Sequence, residues 1–429
     1  MKHKIERTKL NNGLTILTCN ISHLQTVTLS FLIKKGSRHE PAELNGITHF
    51  IEHLVFKGTR NKNMKQIATE LDLLGGDFNA YTSYENLTFL IRTIKNYWKQ
   101  AFELLAEIIT QPTFDKVNIE LEKDVINEEI QMIEDNPESL LCEIVQSSIF
   151  PNHSLGRPIT GSEKTIKNFT PEILKNYHAC LLKPENLIIA AAGNIKHDEL
   201  VNFVIERLKI NPSTGTKIPV EQNPKMHFPF LVKDRRELNQ VQLAFTFPWI
   251  KASDPRYHIS IILEKLLGDT YSSRLWQKIR EEKGLVYSLG LDITSFLDCG
   301  YLCLTMATAP NNLEKLIKIT FQEIRKLKEN LFSKAELDIF KRQAEISILL
   351  ATEDSVGLLE NMLNSELIHN KQISTQELIS SIKKVTPYHI QELANEFFLS
   401  NRAGLICLGK VDKDTLRSLY LDAIELLQL

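Results

Sequence analysis

Residues 49–53 read His-Phe-Ile-Glu-His. On a helix, His49 and His53 stand one turn apart on the same face. Two neutral imidazoles placed so can take two of the positions around a tetrahedral Zn²⁺. Glu52 follows His49 by three residues and directly precedes His53, so it projects beside a metal rather than onto it. Bound Zn²⁺ lowers the pKa of water to about 7, and a carboxylate at that place can take the proton, giving hydrolysis without a covalent intermediate. The same pair is also compatible with satisfied core or surface histidines, so a third ligand is needed. The acidic run Glu120-Leu121-Glu122-Lys123-Asp124-Val125-Ile126-Asn127-Glu128-Glu129-Ile130 supplies candidates. Glu122 and Glu129 are two helical turns apart on one face, with Val125, Ile126 and Ile130 as an apolar flank. One could bind the metal and the other orient a histidine from behind; otherwise the run is a solvated helix face.

The elements that must carry these residues are visible in the pattern. Strands are expected at 14–19, after the Asn11-Asn12-Gly13 turn, and at 26–34, where Thr and Val favour extended backbone. A helix is expected over about 43–57, closed by Lys57 and Gly58, and another over 64–74, stopped by Gly75-Gly76. A strand pair spans 78–94, and helices cover about 97–110 and 115–135. Strands first and helices afterwards predict an α+β fold, a largely antiparallel sheet covered on one face by helices.

The chain has 429 residues, long for one hydrophobic core. Two pairs of landmarks show how it divides. Thr170-Pro171 and Thr386-Pro387 each open a helix-like stretch leading to an apolar strand, Leu187–Ala192 and Leu405–Leu408. Each strand ends at a glycine, Gly193 or Gly409, and both the Thr-Pro pairs and the glycines are 216 residues apart. Residues 195–200 and 411–416 then repeat an acidic helix start. Two landmarks at one offset argue for duplication: two homologous domains, 1–210 and 230–429, joined by a turn-rich linker at 211–229. In the stretch that mirrors the metal helix, Arg256 to Gly268, His258 is the only histidine, and Lys265 takes the ligand place beside Glu264. One copy is expected to be catalytic, the other to serve as scaffold and substrate contact.

Formal net charge is −2 with both signs interspersed, which predicts no whole-molecule attraction to nucleic acid or anionic membranes. No run is long and apolar enough to span a bilayer, and neither a signal peptide nor a transit peptide is read at the N-terminus. The six cysteines are scattered, with Cys299 and Cys303 in an apolar strand-like stretch, as in buried thiols of a reducing compartment. A cytoplasmic location is expected.

The run Gly46-Ile47-Thr48-His49-Phe50-Ile51-Glu52-His53-Leu54-Val55-Phe56-Lys57-Gly58-Thr59 resembles the inverted zinc motif of the pitrilysin and insulinase family, the inverzincins. The resemblance continues along both halves: Leu74-Gly75-Gly76-Asp77-Phe78-Asn79-Ala80-Tyr81-Thr82 is similar to the family's glycine turn and edge strand. Glu122 to Glu129 with Met132 and Asp135-Asn136-Pro137 resembles its third-ligand helix. Leu155-Gly156-Arg157-Pro158-Ile159-Thr160-Gly161 matches a further family loop. Ser273-Arg274-Leu275 with Arg280-Glu281-Glu282-Lys283-Gly284-Leu285-Val286-Tyr287 resembles its Arg/Tyr pair.

This resemblance implies the two-domain fold of the mitochondrial processing peptidase and LuxS-like metallohydrolases. It implies one Zn²⁺ held by His49, His53 and Glu129, the last preferred over Glu128, with Glu52 as general base and Glu122 as the supporting acid. Arg280 and Tyr287 would contact substrate and help to stabilise an oxyanion. An extended peptide would bind along Phe78, Asn79, Ala80 and Thr82. The implied function is a zinc endopeptidase acting on peptides or on unfolded, presequence-like segments. Its implied assembly is a homodimer whose composite sites join the zinc residues of one protomer to the Arg/Tyr pair of the other. Two rivals stand beside this reading: a noncatalytic scaffold of the same fold, which usually lacks the zinc residues, and a zinc hydrolase of non-peptide substrates.

Overall fold

The computed structural model describes residues 4–210, 223–235 and 237–428. The first half of the chain contains β1 Ile5–Lys9, β2 Thr15–Asn20, β3 Thr26–Ile33, α1 Ile47–Leu54, α2 Met64–Leu73, β4 Asp77–Thr82 and β5 Leu87–Ile94. It continues through α3 Trp98–Thr110, α4 Lys116–Asp135, α5 Pro137–Ile149, α6 Glu163–Ile166, α7 Pro171–Leu181, β6 Leu187–Gly193 and α8 His197–Arg207. The second half contains β7 Phe230–Lys233, β8 Val241–Pro248, α9 Tyr257–Glu264, β9 Val286–Ser295, β10 Gly300–Thr308, α10 Leu313–Glu329 and α11 Lys334–Ala351. After these come α12 Ser355–His369, α13 Thr375–Lys383, α14 Pro387–Phe397, β11 Gly404–Leu408 and α15 Lys413–Ile424.

Two sheets result, with strand orders β1-β2-β6-β3-β5-β4 and β7-β11-β8-β10-β9. In each, one neighbouring pair is parallel, β2 with β6 and β7 with β11, and the rest are antiparallel. Stripped of β1, the two orders are the same topology, as the repeated landmarks predict. Those landmarks also do the same work twice. Thr170 and Thr386 are N-caps whose hydroxyls accept from Ile173 N–H and His389 N–H, each with proline in the first turn. The mixed α/β, two-sheet architecture therefore agrees with the expected fold class.

The contacts gather the chain into two units. One comprises residues up to 132 together with 157–210 and 350–374; the other comprises 133–156, 223–349 and the residues from 375 onward. This grouping departs from the contiguous division 1–210 and 230–429 in two helices. In the first unit α12, far along the chain, lies on β3 and β6. In the second, α5 lies on β8 and β11, with Gln146 accepting from Tyr301 Oη at 2.5 Å. Of the expected linker 211–229, residues 211–222 lie outside the described residues, and 223–229 carry no regular structure.

The physical reason for the exchange is that the sheet is apolar on both faces. Along β2, β3 and β6 the side chains alternate. Ile16, Leu29, Phe31, Ile33, Ile189 and Ala191 join the core beneath α1, α3 and α7, whereas Leu17, Cys19, Leu32, Ile188, Ala190 and Ala192 face the other way. Leu358, Leu359, Met362 and Leu363 of α12 cover that second face. An ion pair between exposed Arg7 and buried Glu366 (2.7 Å) and a buried Thr28–Ser355 hydrogen bond (2.6 Å) fix the helix there. The one-sided covering expected from the sequence is thus incomplete.

Leu359 is fully buried, so Leu359→Ala should cost about 2–5 kcal/mol through lost burial and the cavity left behind. A urea titration should show this as a lower midpoint. Leu121→Ala, at an exposed position on α4, should stay within about 0.5 kcal/mol of the parent.

Candidate metal centre

Helix α1 is shorter than the expected 43–57. Gly46 adopts a left-handed conformation (φ +91°) that blocks continuation upstream, and regular helix stops at Leu54. Ile47, Phe50, Ile51 and Leu54 recur at helical spacing and are buried in the core, with Phe50 edge-on to Phe169 at 5.2 Å. That packing turns His49, Glu52 and His53 together toward the opposite side. Helix α4 is anchored by buried Ile119 and Ile126, which set Glu122 and Glu129 on the flank that meets α1.

The histidine Nε2 atoms lie 3.2 Å apart, and Glu129 Oε2 is 3.8 Å from His49 Nε2 and 3.9 Å from His53 Nε2. The point equidistant from these three atoms is about 2.1 Å from each, the length of Zn–N and Zn–O bonds. At this separation the two nitrogens can share a hydrogen bond, with His49 Nε2–H as donor, or give both lone pairs to one cation in its place. The donor set and its spacing therefore fit a zinc ion. Among the described residues no other group of three or more His, Cys, Asp or Glu side chains has this disposition. Lys265, at the mirrored position, is held in an ion pair with Asp269 at 3.1 Å.

Behind the histidines runs a chain of charge. His53 Nδ1–H donates to Glu122 Oε1 at 2.8 Å, which leaves Nε2 as the lone-pair donor, and Lys57 Nζ binds Glu122 Oε2 at 2.7 Å. Burial tends to raise the Glu122 carboxyl, but hydrogen bonds and charge from His53 and Lys57 outweigh it and hold it below the usual range. Burial likewise tends to lower His53, yet Glu122, with Glu52 and Glu129, leaves it raised. His49, with less carboxylate company, is pushed down to about 3 by burial and then by His53.

Glu52 is nearly buried, and Thr82 Oγ1 donates to its Oε2 at 2.5 Å. Burial raises the Glu52 carboxyl above its ordinary value, while the Thr82 hydrogen bond pulls the other way. Thr82 ends β4, which among the described residues pairs with β5 alone, so that its outer edge carries no described strand. Exposure alternates along this edge strand. Asp77, Asn79 and Tyr81 face outward, whereas Phe78, Ala80 and Thr82 turn inward, Phe78 against the Phe56 ring at 4.9 Å.

The first unit thus brings together His49, Glu52, His53, Glu122 and Glu129 and sets Phe78–Thr82 alongside through Thr82. In the second unit, Arg280 and Tyr287 are brought to each other. The Arg280 guanidinium donates to the carbonyls of Val286 and Tyr287 and lies over the Trp276 and Tyr287 rings (5.4 and 5.7 Å), while Tyr287 is 74% exposed at the start of β9. Sequence reasoning missed Lys57 as a site residue, since only its place at a helix end is legible, and it expected Thr82 to line bound peptide without its bond to Glu52. Neither contact has a local pattern, since Glu122 and Glu52 come to them from distant segments.

Comparison with known proteins identifies the family. The profile of the insulinase family, peptidase family M16, matches residues 15–163, and that of the peptidase M16 inactive domain matches 168–344. A Bacillus subtilis protein described as an uncharacterized zinc protease is 32% identical over 93% of this chain and 97% of its own. The chain belongs to the insulinase (M16) family. A second member, described as a zinc protease of Rickettsia felis, is 34% identical over 93% of this chain and 96% of its own. The crystal structure of a Helicobacter pylori protease shares the fold, with a TM-score of 0.88 at 22% identity over 95% of this chain and 99% of that one.

Because Glu122 fixes the tautomer of His53 and Lys57 fixes Glu122, both Glu122→Gln and Lys57→Met should weaken zinc binding, by about 10–100-fold for the former. Competition with a chromophoric chelator measures this directly. Unchanged affinity in both variants would show that the charged chain behind His53 is irrelevant to the metal.

Proposed function

We propose that this M16 member is a zinc-dependent endopeptidase that cleaves extended peptides or unfolded, presequence-like segments. One observation carries the reading: the base Glu52, held by Thr82 at the end of an edge strand, stands beside three converging ligand atoms. His49, His53 and Glu129 would hold one zinc ion, which supplies Lewis-acid activation of water and carbonyl. A peptide adding to β4 makes main-chain hydrogen bonds along Phe78, Asn79 and Ala80 and reaches Thr82, which brings a peptide bond to Glu52. Glu52 takes the proton of the attacking water and returns it to the leaving amine; burial, which raises its carboxyl above the ordinary value, makes it a stronger base than an exposed carboxylate. Glu122 orients His53 throughout.

Arg280 and Tyr287 fit the role of donors to the developing oxyanion. We assign them to the active site of a second copy in a homodimer, so that each site draws on two protomers. A cytoplasmic location belongs to the same reading, since none of the six cysteines is in a disulfide.

Zinc-loaded protein should cleave members of a quenched peptide library and spare a folded protein of similar composition. Glu52→Gln should keep its zinc and lose at least about 100-fold in kcat, the scale of general-base catalysis. Stoichiometric zinc with no Glu52-dependent cleavage would instead favour the noncatalytic scaffold. For the assembly, mixing inactive Glu52→Gln and Tyr287→Phe subunits should restore activity in the heterodimer. Verified subunit exchange without recovery would remove the shared site.

A further inference from the structure

The loop Leu155–Gly161 stands out in the sequence, yet the chemistry above gives it no part. Its residues 157–161 lie against the turn that enters α1. Arg157 Nη2 donates to the backbone carbonyl of Glu40 at 2.6 Å, and Asn45 Nδ2 donates to the carbonyl of Pro158 at 2.9 Å. The backbones of Gly46 and Gly161 pass so closely that a Cβ on Gly46 would stand 2.6 Å from Thr160 O, and one on Gly161 would stand 2.6 Å from Asn45 O. Both glycines have positive φ, +91° and +81°.

The side chain seated by this clamp is Glu40, which is 2% exposed. Its Oε2 accepts from Gly46 N–H at 2.7 Å and from Asn45 Nδ2 at 3.2 Å, and its Oε1 accepts from Thr48 N–H at 2.8 Å. Gly46 is the N-cap of α1 and has no side chain with which to cap it. The first-turn N–H groups therefore depend on an acceptor from elsewhere, which Glu40 supplies; burial pushes its carboxyl up to about 7, and the bonds from Thr48, Gly46 and Asn45 pull the other way. Thr48, whose N–H is held, immediately precedes His49.

We propose that Glu40, seated by the Arg157–Gly161 loop, is a positioning residue for the metal centre: it fixes the first turn of α1 and so the point at which His49 presents Nε2 to His53 and Glu129. The inference rests on reading that triad as a zinc site. Each carboxylate oxygen serves a different backbone N–H. An amide can serve only one and turns a donor toward the other. Glu40→Gln therefore allows the turn to shift while changing almost no volume.

The test compares the wild-type protein, Glu40→Gln and the stability control Leu359→Ala, whose site is remote from α1. Zn²⁺ affinity is read by chelator competition, the geometry of Co²⁺ bound in place of zinc by its visible absorption, and stability by thermal unfolding of the metal-free proteins. Glu40→Gln should lose about tenfold or more in Zn²⁺ affinity and change the Co²⁺ spectrum. Leu359→Ala should unfold at lower temperature with affinity and spectrum unchanged. Glu40→Gln with a lowered melting temperature but affinity within twofold of wild type and an unaltered spectrum overturns the proposal, because Glu40 would then be only a stabilising cap. If Glu40→Gln does not fold, Arg157→Gln loosens the same seat while leaving the carboxylate in place. It should show the same two metal effects, and wild-type metal binding in that variant overturns the proposal equally. Failure of the wild-type protein to bind zinc would instead overturn the reading of the triad.

Discussion

Between α1 and α4, the sequence of contacts Lys57–Glu122–His53 joins a lysine just past the end of one helix, a buried carboxylate on the other and a histidine back on the first. It is the tie on which the centre depends, because zinc ligands from two helices are useful only if the helices keep a fixed distance. Isolated surface ion pairs contribute little, but this carboxylate is 3% exposed and has both oxygens engaged. Removing either partner leaves one oxygen of a buried carboxylate without its donor, a larger loss than that of a surface pair. The apolar residues of α1 and α4 bring the helices into contact; the charged chain determines how they register.

The legible part of this molecule was whatever repeats or follows a local rule. The His-x-x-Glu-His spacing, the carboxylates at 122 and 129, the Thr-Pro caps and the glycine-terminated strands are all patterns of a few residues, and the duplication doubled the signal at Thr170/Thr386 and Gly193/Gly409. Pairing Lys57 with Glu122, Thr82 with Glu52, or Glu40 with the start of α1 requires knowing which segments meet, and no periodicity carries that information. The overestimate of α1 at 43–57 has a similar cause. Its flanks are not helix-breaking by composition, and Gly46 is forced into its left-handed turn by the close approach of Gly161.

The second helix layer was hidden for a different reason. Leu187–Ala192 is apolar without interruption, which a strand buried on both faces requires. The run itself does not name the element that covers the far face. That element is α12, whose apolar residues do not form the clear one-sided stripe that would mark it as a covering helix.

The location of α12 also bears on how the protein is made. Strands β2, β3 and β6 are complete once residue 193 has been synthesised, and so are the metal ligands. The face bearing Leu17, Leu32, Ile188 and Ala190 must nevertheless wait for residues 355–369, more than 160 positions later. During that interval a nascent first half carries an uncovered apolar sheet, the kind of surface on which chaperones act and chains aggregate. A gene cut between the two homologous halves would not release an independent catalytic module. The part holding the proposed zinc ligands borrows its last layer from the other half, so the first sheet completes its packing only with residues supplied by the second copy's stretch of chain.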